Sequence, residues 1–116
     1  MNAAEFVDRV RRYVMLDAVD GVISNFNQPP GRRPAQTIIT LSDWYRSLSP
    51  RDQTMLRTAL VEASHAAVFG LFAVIDGSRR IDDEAKPVRF ELWCEGQKGR
   101  TQFRDLHELL NSDGES

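Results

Sequence analysis

Ser49-Pro50-Arg51-Asp52 opens the stretch that decides the fold, and Ala66-Ala67-Val68-Phe69-Gly70-Leu71-Phe72-Ala73-Val74-Ile75-Asp76-Gly77 closes it. The opening residues spell a helix start: a hydroxyl for the N-cap, proline where no amide hydrogen is needed, and an acid facing the positive end of the helix dipole. Gly77 suits a left-handed C-cap, so one long helix is expected from Pro50 to about Asp76. Leu56, Leu60, Ala63, Ala67, Gly70/Leu71 and Val74 keep helical spacing, and Val68, Phe69, Phe72 and Ile75 make the second half apolar almost all round. That half is expected at the centre of the core. Ala63, Ala66, Ala67, Gly70 and Ala73 are small enough for another helix backbone to come close, and the N-terminal helix is the expected neighbour.

Upstream, Phe6, Val7, Val10, Tyr13, Val14, Ala18, Val22 and Phe26 recur at three- and four-residue steps, giving one amphipathic helix from Ala3 to about Phe26 with Asn2 as cap. Gly21 is a point where it can bend. Pro29, Pro30 and Pro34 end it, since each removes a donor and restricts its predecessor. Thr37-Ile38-Ile39-Thr40-Leu41 reads as a short extended stretch, after which Ser42 caps a helical turn carrying Trp44, Tyr45 and Leu48.

Downstream, Val88, Phe90, Leu92 and Cys94 alternate with Arg89, Glu91 and Trp93, the period of a half-buried strand. The glycines of Glu95-Gly96-Gln97-Lys98-Gly99 turn it back into Arg100-Thr101-Gln102-Phe103. A short helix over Asp105 to Asn111 closes the chain, with Ser112 to Ser116 as a frayed tail. The expected fold is therefore α+β and helix-dominated: a long central helix on an N-terminal helix, with a C-terminal β-hairpin and a closing helix. All 116 residues form a single domain, the commonest domain size.

Composition narrows the function. A formal charge of -2 and a pI near 5.6 give no general attraction to a phosphate backbone, so nucleic acid is not an expected partner. Cys94 stands alone, which excludes an internal disulfide and fits a reducing compartment. The N-terminal residues interrupt their apolar positions with charge, unlike a secretory signal. The longest apolar run, Ala66 to Ile75, is about half the roughly 20 residues of a membrane-spanning helix, so a buried helix is expected and no membrane contact.

Candidate chemistry is sparse. His65 lies one turn after Glu62, a spacing that lets both point the same way, but the sequence offers no second ligand-rich helix, and no metal or cofactor is expected. His107 reads as a solvated helix residue and Cys94 as a small core hydrophobe. No phosphate loop, nucleophile elbow or paired-histidine zinc motif occurs, so no catalytic residue is assigned. Arginine clusters at Arg9-Arg11-Arg12, Arg32-Arg33 and Arg79-Arg80 are the suggestive feature, because guanidinium groups recognise carboxylates and phosphates through paired bonds. Asp8, Asp76, Asp82, Asp83 and Glu84 are near enough in sequence to neutralise much of that charge. Trp93 falls on the strand face opposite Phe90 and Leu92, so either a helix covers it or it is an interface anchor. Arg32, Arg33, Arg79, Arg80, Asp82, Asp83 and Trp93 are the candidate partner-binding residues.

Pro29-Pro30-Gly31-Arg32-Arg33-Pro34, Trp44-Tyr45, the run His65 to Gly77, and Leu106-His107-Glu108-Leu109-Leu110 resemble a group of small bacterial immunity proteins of toxin-delivery systems. The resemblance implies a bacterial cytoplasmic protein that binds and neutralises a cognate toxin domain and has no catalytic residues of its own. Two alternatives stand beside it. One is a ligand-binding protein or enzyme with a pocket between the long helix and the hairpin, using Glu62, His65 or an arginine pair. The other is a homodimer that packs the small-residue face of the long helix across a twofold axis.

Overall fold

The computed structural model describes residues 1–82, 85–86 and 88–114. The chain runs α1 (Ala3–Val10), a π-helical segment (Arg11–Leu16), α2 (Asp17–Asn27), α3 (Gln36–Ser47), α4 (Pro50–Asp76), β1 (Leu92–Gly96), β2 (Gly99–Phe103) and α5 (Leu106–Gly114). This is the helix-dominated α+β arrangement expected. α4 starts and stops on local chemistry: Ser49 Oγ accepts the Asp52 amide at 3.1 Å, Pro50 is the first helical residue, and Gly77 takes the left-handed conformation at φ 85°. β1 and β2 pair antiparallel, Leu92 opposite Phe103 and Gly96 opposite Gly99, leaving Gln97 and Lys98 as the turn. α5 extends to Gly114, past the expected end at Asn111.

The N-terminal helix is continuous from Ala3 to Asn27, but its buried stripe is not the one regular 3.6-residue spacing gives. Val7, Met15, Val19 and Phe26 are buried, whereas Tyr13 and Val14 are more than half exposed and Val22 is exposed. The π segment is the reason. Its wider turns rotate the chain less per residue, so Met15 falls in line with Val7 and the apolar residues just before it swing out.

Residues 37–41 are helical, correcting the expected strand. Thr and Ile favour strands locally, but in α3 Ile38, Leu41, Ser42 and Tyr45 come to one face against α2, and that packing overrides propensity. Ser42 is thus no cap for a later turn. It is fully buried, and its hydroxyl donates to the Phe26 carbonyl at 2.5 Å, satisfying an orphan acceptor at the end of α2.

The N-terminal helix does lie along α4, with Arg57 paired to Asp20 at 2.9 Å and Ser64 Oγ donating to the Met15 carbonyl at 3.3 Å. It covers a different face from the one expected. Ala63, Ala66 and Ala67 are exposed, Leu71 is 58% exposed, and of the small residues only Gly70 and Ala73 are buried. The second half of α4 is nonetheless part of the core, as expected: Phe72 and Ala73 are buried and Val68, Phe69 and Ile75 pack against the core cluster, while one face of the helix stays exposed.

Apolar contacts are concentrated toward the two ends of α4, a helix of 27 residues and about 40 Å, with Val19 buried between them where the N-terminal helix is held to Arg57 and Ser64. Around its C-terminal half, Phe72 packs with Val7, Met15, Phe103, Leu106 and Leu110, and Phe6 lies between the Phe72 and Phe103 rings. Around its N-terminus, Phe26 packs on Tyr45 at 5.6 Å, and Gln53 Nε2 donates to the Tyr45 carbonyl at 3.0 Å.

Candidate interaction site at the hairpin end

The expected strand over Val88 to Cys94 is shorter than its alternation suggested. β1 begins at Leu92, and Val88 and Phe90 are exposed at 48% and 45% instead of facing the core. Leu92 and Cys94 do face the core cluster, which leaves Trp93 on the outer side. No helix among the described residues covers it: Trp93 is 39% exposed. Its geometry is held from two directions, since the indole Nε1 donates to Glu91 at 2.8 Å and the Arg100 guanidinium lies 4.3 Å from the ring centre. Arg100 in turn is 3.6 Å from Glu95 across the hairpin.

Beside the hairpin, a cleft of about 340 Å³ separates the end of α4 from β2, and Arg79, Arg80, Asp82, Arg89 and Arg104 line it. Arg80 pairs with Asp82 at 2.8 Å and Arg89 with Glu91 at 3.3 Å. Arg79 folds back over α4, its Nη1 2.5 Å from where a β-carbon on Gly70 would stand; only glycine leaves that space. Asp83 lies outside the described residues. Arg32 and Arg33 are exposed in the loop between α2 and α3, which leaves α2 at the N-terminal end of α4. The two arginine pairs therefore sit at opposite ends of the long helix and do not form one surface. Trp44 is likewise exposed at 47%, while Tyr45 is core.

The histidines are placed differently from their sequence reading. His65 stacks on Phe69 at 6.3 Å and Glu62 is exposed, so neither reaches the cleft. His107 is not a solvated helix residue. Its ring packs edge-on against Phe69, and both its amide and its Nδ1 donate to Asp76 Oδ2, at 2.9 and 2.5 Å. The Asp76 side chain is 5% exposed and, although it lines the cleft with Arg79 and Arg80, it pairs with His107; its second oxygen is buried with no hydrogen-bond partner among the described residues. Sequence reading had no signal for a pair 31 positions apart.

Ser78 Oγ stands 3.5 Å from His107 Nε2, which completes a Ser78–His107–Asp76 line. The same hydroxyl lies 3.2 Å from the Ala73 carbonyl, and the amides of Ser78 and Arg79 both donate to that carbonyl as the cap of α4. No backbone donor of this turn is left to hold a developing oxyanion, and the hydroxyl proton has a competing acceptor. What the geometry does is join two helix ends: Asp76, in the last turn of α4, supplies the acceptor for an N-terminal amide of α5. Asp105, just before α5, takes φ 59°, so this junction is tight. Among the described residues no group of three His, Cys, Asp or Glu side chains is placed to hold a metal ion. No protein-family model, curated protein or solved structure matches this chain.

Proposed function

We propose that this chain is a protein-binding module of the immunity type, which neutralises a toxin domain in the cytoplasm by docking it on the outer face of the hairpin. The observation that carries the reading is Trp93. An aromatic ring that is exposed yet already fixed by Glu91 and Arg100 loses little freedom on binding, and tryptophan and arginine dominate binding hot spots. The paired charges beside it, Arg89–Glu91 and Arg100–Glu95, with Arg80–Asp82 on the adjoining cleft, form a polar rim that sets orientation and association rate more than affinity. Arg32 and Arg33 take no part in this surface.

The test uses the purified chain and the toxin domains encoded by neighbouring reading frames, with affinity measured by calorimetry and protection by residual toxin activity. Trp93→Ala is expected to weaken binding about 30-fold or more, the effect of a loss of roughly 2 kcal/mol. Arg32→Ala/Arg33→Ala is expected to leave affinity within about twofold. Tight binding with toxin activity intact defeats neutralisation, and unchanged affinity in Trp93→Ala defeats the assigned surface.

The cleft supports a second reading, a site for a small compound that carries both charges, since its volume lies within the range of ligand sites and its four arginines are matched on the same lining by Asp76, Asp82, Glu91 and Asp105. Stabilisation of the wild-type chain by such a compound, lost in Arg79→Ala, would favour it over toxin binding.

A further inference from the structure

The exposed face of α4 carries Met55, Ala59, Ala63, Ala67 and Leu71 at successive four-residue steps, and all five are exposed, Met55 at 60% and Leu71 at 58%. Residues four apart form a continuous ridge on a helix, the kind that packs between the ridges of a second helix. This ridge is symmetric about Ala63: small residues at the centre, one large flexible or branched residue at either end. Turned end for end, the pattern superposes on itself. That is the requirement for an isologous contact, in which the same patch serves on both subunits.

Two measures of the whole molecule show that surface is left uncovered. Its accessible area is 8627 Å², whereas a monomer of 13.2 kDa exposes about 6,400 Å². Its radius of gyration is 18.0 Å, against about 13 Å for a compact chain of this length. The surplus of roughly 2,200 Å² is spread over the whole molecule, and half of it covered on each subunit would already bury the roughly 2,000 Å² at which obligate homodimer interfaces begin. α4 is where covering is most plainly wanted: its most apolar 18-residue window would satisfy a bilayer by composition, yet only 22% of it is buried.

A second copy fits this face better than lipid does. Glu62 stands exposed beside Ala63 and Ala66, and the opposite side of α4 is tied to the N-terminal helix through Arg57–Asp20 and Ser64–Met15. Entering a bilayer would bury that charge and strip those contacts; an antiparallel partner helix needs only the ridge, with Glu62 left at its margin.

We infer that the protein is a twofold-symmetric homodimer in which the α4 helices cross antiparallel at Ala63, with Met55 and Leu71 of each copy flanking the crossing. The surface is separate from the Trp93 face, so the two assignments fail independently. The experiment is sedimentation of the full chain in detergent-free buffer, alone and with anionic phospholipid vesicles. The wild type is expected at twice the 13.2 kDa chain mass and not to pellet with vesicles. Ala63→Glu brings two like charges together at the axis and is expected to weaken self-association about a hundredfold or more, giving single-chain mass. Because Ala63 is exposed, its circular dichroism should match the wild type. A second variant, Ala63→Cys with Cys94→Ser, should form an intersubunit disulfide on mild oxidation, which requires Cα atoms within about 7 Å, while Arg33→Cys in the same background should not. A single-chain mass for the wild type, a dimer that survives Ala63→Glu without crosslinking through Ala63→Cys, or recovery with vesicles in place of dimerisation each overturns the inference.

Discussion

Removing the Asp76 carboxylate should be among the most damaging single changes available outside the apolar core. Asp76 Oδ2 accepts two hydrogen bonds from His107, and the side chain is 5% exposed, so water cannot substitute for it. A bond to a charged acceptor contributes about 1.5–3 kcal/mol, and an unsatisfied buried donor costs about as much. Because both donors share one oxygen, Asp76→Ala is expected to lose about 3 kcal/mol in all, a large part of a total that is usually about 5–15 kcal/mol. Asp76→Asn should lose only about 1 kcal/mol, since an amide oxygen in the same position accepts both donors, and the buried oxygen that lacked a partner becomes a buried amide NH2 that likewise lacks one. Urea unfolding at a fixed protein concentration measures both, which matters if the chain dimerises. A double-mutant cycle with His107→Ala should return a coupling of about 1.5–3 kcal/mol. Coupling below about 0.5 kcal/mol, or an asparagine variant as unstable as the alanine one, would refute the assignment of Asp76 as the pin between α4 and α5.

Two glycines separate helix propensity from packing. Gly21 lies exposed in α2 with nothing within 4 Å of an added β-carbon, so Gly21→Ala should gain about 0.8 kcal/mol, read as a higher melting temperature. Gly70→Ala should gain less, because its β-carbon would meet Arg79 Nη1 at 2.5 Å and the flexible guanidinium must swing out; a loss above about 1 kcal/mol would mean that Arg79 is rigidly held. Ser42→Ala strands the Phe26 carbonyl in a fully buried site and should cost about 1–2 kcal/mol by urea unfolding, whereas an unchanged midpoint would show that water reaches that carbonyl.

Features written by neighbouring residues were legible. Ser49-Pro50 and Gly77 bound α4 through caps that act within one turn, and Gly96 and Gly99 bracket a hairpin turn that needs no distant partner. Where the outcome depends on what lies opposite, the sequence was silent or misleading. Thr37 to Leu41 carries strand propensity that only the face of α2 overrides. The π segment changes the phase of the N-terminal helix without a proline or glycine to announce it. The small residues of α4 signal close approach of a helix but not of which helix. At the candidate site, the outward phase of Trp93 followed from alternation alone, whereas the separation of Arg32/Arg33 from Arg79/Arg80 and the turning of Asp76 toward His107 required the whole fold.

The concentration of apolar contacts toward the two ends of α4 bears on how the chain assembles as it is made. The cluster of Phe26, Ser42, Tyr45 and Gln53 draws on residues close together in sequence, so it can form once α4 begins to emerge. The other cluster cannot: Val7 waits for Phe103, Leu106 and Leu110, and Arg11 reaches its acceptor on Leu110 across 99 positions. At about 5–20 residues per second, Phe6 and Val7 stay bare for roughly 5–20 s after leaving the ribosome. α1 is thus made well before the partners that cover it, and for that interval its apolar face is open to a chaperone.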